Sequence, residues 1–542
     1  MNNSRLKIWL PLIGAALLVA GIWIGYMLAH GDRVSPAQQK LNEIFELISD
    51  EYVDEVAMDS IVELTIPQLL QNLDPHSMYI PVNELDKLNR DLESSFFGVG
   101  IQFQIINDTI CVVQVIEGGP AQHVGILAGD RIIAVDDKPM TGNKVTNDDV
   151  QNTLRGPKDT KVKVTVKRAN SPRTLSFDIV RGEIPSLSVN ASYIVDGNVG
   201  YIRITKFAAN TYSEFLQALV QLKTKGAEKF ILDLRGNTGG LLDQAILIAN
   251  EFLPAGQKIV EVRGRKQSEN ATWLSDGTGT LANEQLVVLT DEFSASSSEI
   301  VSGCIQDNDR GLIVGRRTFG KGLVQRQIVL PDSSQIRLTV QRYYTPSGRC
   351  IQKDFHRGDN LGYETEITDR YTHGEVFSAD SMKVNRSQIF TTEHGRTVYG
   401  GGGIIPDVFV PSDTSNVTNY YISVVNAGLL NQFAYEYCDL NRDDLNKAKT
   451  VDELLAKLPP ADVLLQAFVQ YAANKGVHKR WYYINISSQL IIDQLRALIA
   501  SDILDMSAYY EIINRTDTTM LRALELLRHG VPTIIDESYQ PK

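Results

Sequence analysis

Residues 286–301 have the sequence LVVLTDEFSASSSEIV, an apolar run followed by a polar turn and a second apolar stretch. The run Leu286–Thr290 predicts a short buried strand, and the residues from Ser296 onward predict an amphipathic helix. The same alternation continues on both sides, over Val199–Ile204, Thr211–Lys223, Phe230–Leu234, Leu242–Phe252, Ile259–Arg263, Ser296–Gln306 and Leu312–Gly315. Strands that alternate with helices are typical of an α/β fold, in which helices pack on a largely buried sheet.

Ser296 occupies the turn between the predicted strand and helix. A side chain there lies near the unpaired N–H groups of the first helical turn, where negative charge is favoured. This position suits a nucleophile whose reaction generates an oxyanion. Glu299 follows at the spacing of a capping box, however, so the stretch alone also allows a serine that only caps its helix.

A lysine lies in a second stretch, residues 315–325, with the sequence GRRTFGKGLVQ. Neither stretch contains one of the eight histidines of the chain, so a Ser–His–Asp triad has no local support. A lysine can act as general base when burial disfavours its charged form and lowers its pKa. The apolar, glycine-rich surroundings of Lys321 fit such burial. Gln325, four residues farther along a strand, is predicted to face the same way and to orient the amine.

A third stretch, residues 230–240, has the sequence FILDLRGNTGG and predicts a buried strand that runs into a glycine-rich turn. Backbone N–H groups in such a turn can point at a developing oxyanion, and each donor contributes about 2.7–4 kcal/mol in comparable sites. Any tight connection between a strand and a helix uses the same glycines, so the turn by itself is weak evidence.

Between Phe96 and Arg181 the hydrophobic period shifts towards two, which predicts a β-rich module. Residues 96–103 read FFGVGIQF, and residues 118–135 read GGPAQHVGILAGDRIIAV. The second stretch resembles the glycine-rich turn, helix and Gly-Asp strand of the PDZ family over its full length, with Val124 where alanine is usual.

A PDZ domain captures a chain end in two ways. Backbone N–H groups of a glycine-containing loop accept the terminal carboxylate, and the peptide pairs with an exposed strand edge. The resemblance therefore implies protein or peptide ligands with free apolar C-termini. The alternative is that the glycines only make a tight turn into the strand. The predicted peptide-binding residues are Phe97, Gly98, Val99, Gly100, Ile101 and Phe103, with Val150 and Leu154 of a following helix opposite.

Composition and charge argue against several other classes of protein. The 542-residue chain has a formal net charge of −12 and no block of Lys and Arg, which argues against a nucleic-acid binder. Its four cysteines form no CxxC or Cys/His cluster. We therefore predict no metal, no cofactor and no disulfide framework, while a single bridge stays open.

The N-terminus carries an uncharged apolar segment, Ile8–Leu28, preceded by Arg5 and Lys7. A helix of this length spans roughly 30 Å, the thickness of the hydrocarbon core of a bilayer. The basic flank predicts a cytoplasmic N-terminus. We expect a retained inner-membrane anchor, with the catalytic part in the periplasm. A cleaved signal peptide is the alternative.

The pattern divides the chain into five predicted regions. They are the anchor (1–30), a helical region (31–95), the PDZ-like module (96–183), an α/β core (184–413) and a helical C-terminal extension (414–542). Within the core, Lys353–Tyr399 is predicted to be a polar surface insertion. Apolar stripes of the extension predict either cover for the core or a homo-oligomer formed through the helical termini, which we favour; they comprise Leu454, Leu455, Leu458, Leu490, Ile491, Leu495 and Leu498.

The motifs SASSSEI (294–300), TFGKGLVQ (318–325) and DLRGNTGG (233–240), behind a PDZ-like module, resemble those of the C-terminal processing peptidases. This resemblance runs from about Leu41 to Val410 and includes LDPHS at residues 73–77. It implies a serine peptidase with a crotonase- or ClpP-like α/β core. The expected function is cleavage of exported polypeptides near their C-termini, after the PDZ-like module has bound the free end.

The resemblance also implies roles for single residues. Ser296 would be the nucleophile, Lys321 the general base and Gln325 its orienting partner. An oxyanion hole would come from the backbone N–H groups of Gly239, Gly240 and Ser297. Ser297 stands where the family has alanine; since only its backbone is used, we expect little effect, although the neighbouring hydroxyls leave open which serine attacks.

Two other functions stay open. A PDZ scaffold with an inactive peptidase core is opposed by the presence of serine, lysine and glutamine together. A crotonase-like acyl-CoA enzyme would use the Gly239–Gly240 turn to polarise a thioester, but an anchor and a PDZ-like module are out of place there.

Overall fold

The computed structural model describes residues 14–25, 35–85, 95–106, 108–116, 118–142, 145–168 and 171–539. The chain divides into two compact units, Met1–Asn72 and Leu73–Lys542. The first unit contains the helices Pro36–Glu51 and Met58–Gln71, as the apolar spacing predicts. Ser35 begins the first of them with a capping box, because its side chain accepts the Gln38 N–H and the Gln38 side chain accepts its own.

The predicted membrane anchor, Ile8–Leu28, falls partly outside the described residues. Residues 14–25 form an exposed helix. Among the residues that the structure describes, no helix combines the length and the apolar character that a membrane span requires.

A six-stranded sheet, called here the core sheet, carries the predicted α/β pattern. Only its first pair of strands is antiparallel. In spatial order the strands are Val189–Asp196, Val199–Ile204, Lys229–Asp233, Gln285–Thr290, Leu312–Gly315 and Val408–Phe409. The flanking helices are Thr211–Thr224, Leu242–Asn250 and Ser297–Asp307. The predicted α/β alternation is therefore confirmed.

Two adjacent parallel strands position the site. Lys229–Asp233 pairs with Gln285–Thr290, so the glycine-rich turn after the first and the Ser296 turn after the second emerge at the same edge of the core sheet. One face of the sheet packs on the flanking helices. The other packs on Thr518–His529, near the end of the chain, through Met520 and Leu527 among others. The C-terminal extension thus completes the core of the α/β region.

A second, antiparallel sheet, called here the side sheet, carries the lysine loop at its margin. Its strands are Met78–Ile80, Lys258–Gly264, Ala271–Leu274, Leu323–Val329 and Gln335–Tyr344. Two predictions need correction here. Met78–Ile80 belongs to the region predicted to be helical but pairs with Gln335–Arg337. The strand predicted at Ile259–Arg263 exists, but it lies in the side sheet because it pairs with the two strands Ala271–Leu274 and Gln335–Tyr344.

The β-rich module is present as predicted. A six-stranded antiparallel sheet holds Ile101–Ile106 at one edge, and the apolar residues of the module form a separate core. Its strands are Ile101–Ile106, Thr109–Val115, Arg131–Val135, Lys138–Pro139, Lys161–Lys167 and Leu175–Val180, and its helices are Pro120–Val124 and Asn147–Leu154. A two-stranded ribbon, Ser95–Gly98 with Gly182–Pro185, connects the module to the remainder of the chain.

The predicted polar insertion, Lys353–Tyr399, is more ordered than its sequence indicates. It contains the helix Asn360–Thr372 and the hairpin Ile389–Thr391 with Thr397–Tyr399. This helix lacks a clear apolar stripe because it packs through polar side chains, among them Arg370, which is buried and donates to the Phe319 carbonyl.

The C-terminal extension is helical, as predicted. Most of the apolar stripe residues are buried inside the chain, Leu454, Ile491 and Leu495 completely. They therefore supply cover rather than an open surface for pairing protomers, which removes the basis of the predicted homo-oligomer. The helices are Asn419–Asn426, Leu429–Leu445, Val451–Lys457, Ala461–Asn474, Trp481–Ile486, Ser488–Ile503, Met506–Ile513 and Thr518–His529.

Candidate active site

Ser296 stands between a strand and a helix in a strained backbone conformation. Its φ of 55° and ψ of −112° lie in a region that L-residues rarely adopt. Such strain persists only where the surrounding structure imposes it, and it is common at sites of function. The residue is half-buried, whereas the following serines are fully buried.

The hydroxyl groups of the neighbouring serines donate hydrogen bonds to backbone carbonyls. Ser294 donates to the Leu234 carbonyl at 2.9 Å. Ser297 donates to the Gly240 carbonyl at 3.0 Å, and Ser298 donates to the Asn237 carbonyl at 2.8 Å. Because these three side chains are buried and bonded to backbone, Ser296 is the serine of this stretch that remains accessible to a substrate.

Glu299 ties the serine turn to the lysine loop. Its Oε2 accepts the backbone N–H of Ser296 and that of Lys321, each at 2.8 Å. Its Oε1 accepts the Gly320 N–H at 2.7 Å and the Thr318 hydroxyl at 2.5 Å. The carboxylate is fully buried, and burial raises its pKa against the lowering effect of these four donors. The capping partner predicted for Ser296 therefore has a second function that links two separate loops.

Lys321 is partly buried beside the serine turn. Burial lowers the pKa of its amine, and the positive charge of Arg337 lowers it further, against the raising effects of Glu299 and Asp74. The Tyr343 hydroxyl donates to the backbone carbonyls of both Lys321 and Ser296, at 3.2 Å for the latter. The shifted pKa favours the neutral amine, the form that can accept a proton.

A single cavity of about 670 Å³ brings the predicted residues together. This volume lies within the range of typical ligand sites, about 300–1,000 Å³. The predicted residues that line it are Gly239, Gly240, Ser296, Ser297, Lys321 and Gln325. Within the described part of the chain, no hydrogen bond joins the Lys321 amine to Ser296 or Gln325; catalytic hydrogen bonds often tighten only when substrate binds.

Gln325 reaches the cavity by a different route from the one predicted. Lys321 precedes the strand Leu323–Val329, and a bulge between Val324 and Gln325 interrupts the alternation of side chains. The argument from equal facing along one strand is therefore wrong, although both side chains line the cavity. The Gln325 Nε2 is buried and has no hydrogen-bond partner among the described residues.

The glycine-rich turn packs directly on the serine turn. A Cβ added to Gly239 would lie 2.7 Å from the Ser296 Cβ, and one added to Gly240 would lie 2.1 Å from the Phe207 carbonyl oxygen. Their φ angles of 104° and 146° also disfavour any other residue. Both positions therefore require glycine.

Asn237 shapes this turn and corrects one predicted role. Its Oδ1 accepts the Gly239 N–H at 2.9 Å, so this group is not free to bind an oxyanion. The N–H groups of Gly240 and Ser297 have no acceptor among the described residues and remain as candidate donors. The Asn237 carbonyl accepts the Ala295 N–H at 2.9 Å, which joins the two turns.

The segment Leu73–Ser77 lies close to the lysine. Asp74 accepts hydrogen bonds from the backbone of His76 and Ser77 and from the Thr339 hydroxyl of the side sheet. Burial and then the charge of Lys321 lower the pKa of His76 to about 4, so this imidazole is neutral near pH 7.

Four contributors to the site were not identified from the sequence: the second function of Glu299, and Asn237, Arg337 and Tyr343. Asn237 stands inside the DLRGNTGG motif, which was a usable signal. Arg337 and Tyr343 lie in a strand whose sequence marks neither as part of a site.

The β-rich module presents an open strand edge at Ile101–Ile106. Ahead of it, the N–H groups of Val99 and Gly100 have no acceptor among the described residues. Ile101 and Phe103 are partly buried against the cluster that contains Val150 and Leu154. Of the other predicted residues, Phe97 and Gly98 pair with Glu183 and Gly182 of the connecting ribbon, and the Val99 side chain is buried in the core of the module.

Three family models match the chain. The model of peptidase family S41 matches residues 198–359, and the PDZ domain model matches residues 111–168. A family of unknown function, DUF8443, matches residues 420–505 in the C-terminal extension.

Curated relatives match more than half of the chain. The carboxy-terminal-processing protease of Bartonella bacilliformis is 37% identical over 318 residues, which cover 58% of this chain and 72% of that protein. The carboxy-terminal processing protease CtpB of Bacillus subtilis is 32% identical over 355 residues, which cover 64% and 72%. Among solved structures, the photosystem II D1 C-terminal processing protease is 25% identical, with a TM-score of 0.34, over 72% of this chain and 98% of its own.

Proposed function

Because the chain belongs to the carboxy-terminal-processing proteases, serine peptidases of family S41, we propose that a Ser296–Lys321 dyad carries out its reaction. The substrates are polypeptides that the PDZ domain holds by their free C-termini. No cofactor takes part in this scheme.

The proposed reaction needs one proton acceptor and one oxyanion site. The neutral Lys321 amine takes the proton of the Ser296 hydroxyl as its oxygen bonds to the scissile carbonyl carbon. The N–H groups of Gly240 and Ser297 stabilise the oxyanion. The lysine then returns the proton to the leaving amine as the C–N bond breaks, and it activates the water that hydrolyses the acyl-enzyme.

Gln325 fits the role of orienting partner through its unsatisfied amide. A neutral lysine amine has a lone pair that can accept from the Gln325 Nε2, whereas an ammonium group has none. A small movement on substrate binding that joins these groups would hold the lysine in its neutral form.

One observation carries the proposal: a single carboxylate oxygen, on Glu299, holds the backbone of both Ser296 and Lys321, whose side chains line one cavity. The test incubates an unstructured protein with the wild type, Ser296→Ala and Lys321→Ala, and measures product masses. We expect each variant to lose activity by about 10⁴-fold.

The matched control for this test is Ser302→Ala, on the same helix but outside the cavity, which we expect to retain activity. Melting temperatures of all variants accompany the assay. A wild type that cleaves nothing would favour an inactive PDZ scaffold. If Ser296→Ala lost both stability and activity, the result would favour a structural role for Ser296 as a helix cap.

Capture of the substrate C-terminus rests on the open strand edge and on the N–H groups of Val99 and Gly100. The test measures binding to the full-length Ser296→Ala protein of one peptide with an apolar C-terminus, as free acid and as amide. We expect the amide to bind at least about tenfold more weakly, since a charge-assisted hydrogen bond is lost. Equal affinities would contradict capture through the carboxylate.

The location of the enzyme is a further part of the proposal. The apolar segment Ile8–Leu28 supports anchoring in the inner membrane, with the protease domain in the periplasm and exported polypeptides as substrates. Fractionation of cells and protease treatment of spheroplasts test this. A full-length protein that stays in the soluble cytoplasmic fraction would contradict it.

A further inference from the structure

The cavity around Ser296 is lined by basic side chains and, among the described residues, by no carboxylate. Lys206, Lys321 and Arg337 line it, and no described lining residue is Asp or Glu. The Lys206 amine donates to the Ser186 hydroxyl at 2.7 Å, and the pKa of Lys321 is lowered by burial. Arg337 carries a guanidinium group, which stays positively charged at neutral pH.

Arg337 is half-buried and lacks the carboxylate partners that Arg349 and Arg316 have. Arg349 is paired with Asp307 at 2.7 Å, and Arg316 is paired with Glu292 at 2.7 Å. Arg337 is in no ion pair within the described residues, and its Nη2 is buried without a hydrogen-bond partner. Burial lowers its pKa with no carboxylate to offset the effect. A buried donor of this kind is costly unless an incoming group satisfies it.

We propose that Arg337 is a specificity-determining residue that binds a carboxylate of the substrate close to the scissile bond. The guanidinium fork matches a carboxylate in geometry and charge. The carboxylate is an Asp or Glu side chain flanking the scissile bond, since the proposed function assigns the free C-terminus to the PDZ domain. This inference rests on the proposed function of the same cavity.

Arg337 lies near the proposed base, Lys321, so a substrate carboxylate bound to Arg337 affects the reaction. Its charge contributes to the lowered pKa of Lys321, so the two groups lie within electrostatic range. A carboxylate held by Arg337 is thus held close to the dyad. The strand Gln335–Tyr344, paired on both sides within the side sheet, fixes the backbone of this arginine.

The experiment measures kcat/KM for matched peptides with the full-length enzyme. One series replaces single Asp or Glu residues by Asn or Gln at each of the positions flanking the cleaved bond. A second series keeps the sequence and amidates the C-terminus, as a control for capture by the PDZ domain. Each peptide is tested with the wild type, Arg337→Gln, Arg337→Lys and the control Arg342→Gln, an exposed arginine of the same strand.

We expect one replacement to lower the wild-type kcat/KM by about tenfold to a hundredfold, the loss typical of a charge-assisted hydrogen bond. The ratio of kcat/KM for the peptide with Asp or Glu to kcat/KM for its Asn or Gln counterpart should fall to about one in Arg337→Gln. Arg337→Lys should retain part of this ratio, and Arg342→Gln should retain all of it. Amidation of the C-terminus acts on capture by the PDZ domain, so its effect should be the same in the wild type and in Arg337→Gln.

The inference is overturned if the wild type does not discriminate in the first series, or if that discrimination survives in Arg337→Gln. Either result leaves the dyad intact, because the peptides are still cleaved. If the wild type cleaves none of them, the proposed function fails instead. The affinity of Ser296→Ala for the peptides of the first series then decides the role of Arg337, with equal affinities for the acidic residue and its amide overturning it.

Discussion

The backbone N–H groups of Ser296 and Lys321 donate to the same atom, Oε2 of Glu299, each at 2.8 Å. The two residues are 25 positions apart and belong to different loops. A buried carboxylate thus fixes the backbone positions of the proposed nucleophile and base. Glu299 contacts neither reacting atom in this arrangement and is a positioning residue.

Replacing Glu299 by glutamine tests this function. The glutamine amide presents its NH₂ group to two of the four donors, so these two hydrogen bonds are lost. A loss of about 1–3 kcal/mol in hydrogen bonding lowers kcat about tenfold to a hundredfold, and we expect little change in KM. Steady-state kinetics check this, with Glu261→Gln in an exposed pair as control. A wild-type kcat in Glu299→Gln would contradict the positioning function.

The pH dependence of activity follows from Lys321. Its pKa is lowered by burial and then by the charge of Arg337, and the base works only when neutral. The rate should therefore rise with pH through a pKa below the ordinary lysine value. Arg337→Gln removes a lowering charge and should move this limb to higher pH. The pH profiles of kcat/KM for the wild type and Arg337→Gln check the direction of this shift. A rising limb that stays in place or moves to lower pH in Arg337→Gln would contradict the assignment of Lys321 as the base.

Ser297→Ala should be nearly silent in catalysis. The side chain donates to two backbone carbonyls, that of Gly240 at 3.0 Å and that of Leu241 at 3.4 Å, and the backbone N–H proposed for the oxyanion remains. We expect kcat/KM within about fivefold of the wild type and a loss of about 1 kcal/mol in the free energy of unfolding. A loss of activity as large as that of Ser296→Ala would assign the attacking hydroxyl to Ser297.

Asp233 stabilises the strand that precedes the glycine-rich turn. It is fully buried, forms ion pairs with Arg235 and Arg203, and accepts a hydrogen bond from the Tyr201 hydroxyl. Arg235 also forms an ion pair with Asp517, at the start of the last helix. Asp233→Asn should lower the free energy of unfolding by about 3–5 kcal/mol, because it leaves buried arginines without their partner. Urea denaturation at pH 7 checks this.

The same variant has a predicted pH dependence. Burial raises the pKa of Asp233, but Arg235 and Arg203 outweigh burial and hold it well below its usual range. A carboxyl group with a lower pKa in the folded state stabilises the protein above its unfolded pKa of about 3.9 and loses that contribution as the pH falls further. The difference between wild type and Asp233→Asn should therefore shrink below about pH 4. A difference that is constant down to pH 2 would contradict the ion pairs.

The α/β alternation was predictable because each buried strand is a short apolar run between turn residues. Met78–Ile80 was not, since three residues carry no period and their partners at Gln335–Arg337 are distant in sequence. Asn360–Thr372 was missed because it has no apolar stripe: its two buried side chains are Tyr363 and Arg370.

The candidate site shows the same division. The motifs around Ser296, Lys321 and Gly240 predicted which residues line one cavity. They could not show that Asn237 consumes the Gly239 N–H, nor that Glu299 binds the lysine loop, because both depend on hydrogen bonds between segments that fold together only in three dimensions.

The most direct test of the dyad is the site and the pH dependence of covalent labelling by a fluorophosphonate, mapped by mass spectrometry. The account predicts that the label lies on Ser296, that its rate rises with pH through a single ionisation below the ordinary lysine pKa, and that Lys321→Ala abolishes this rise. A label on another serine, or the same pH profile in Lys321→Ala, would contradict it.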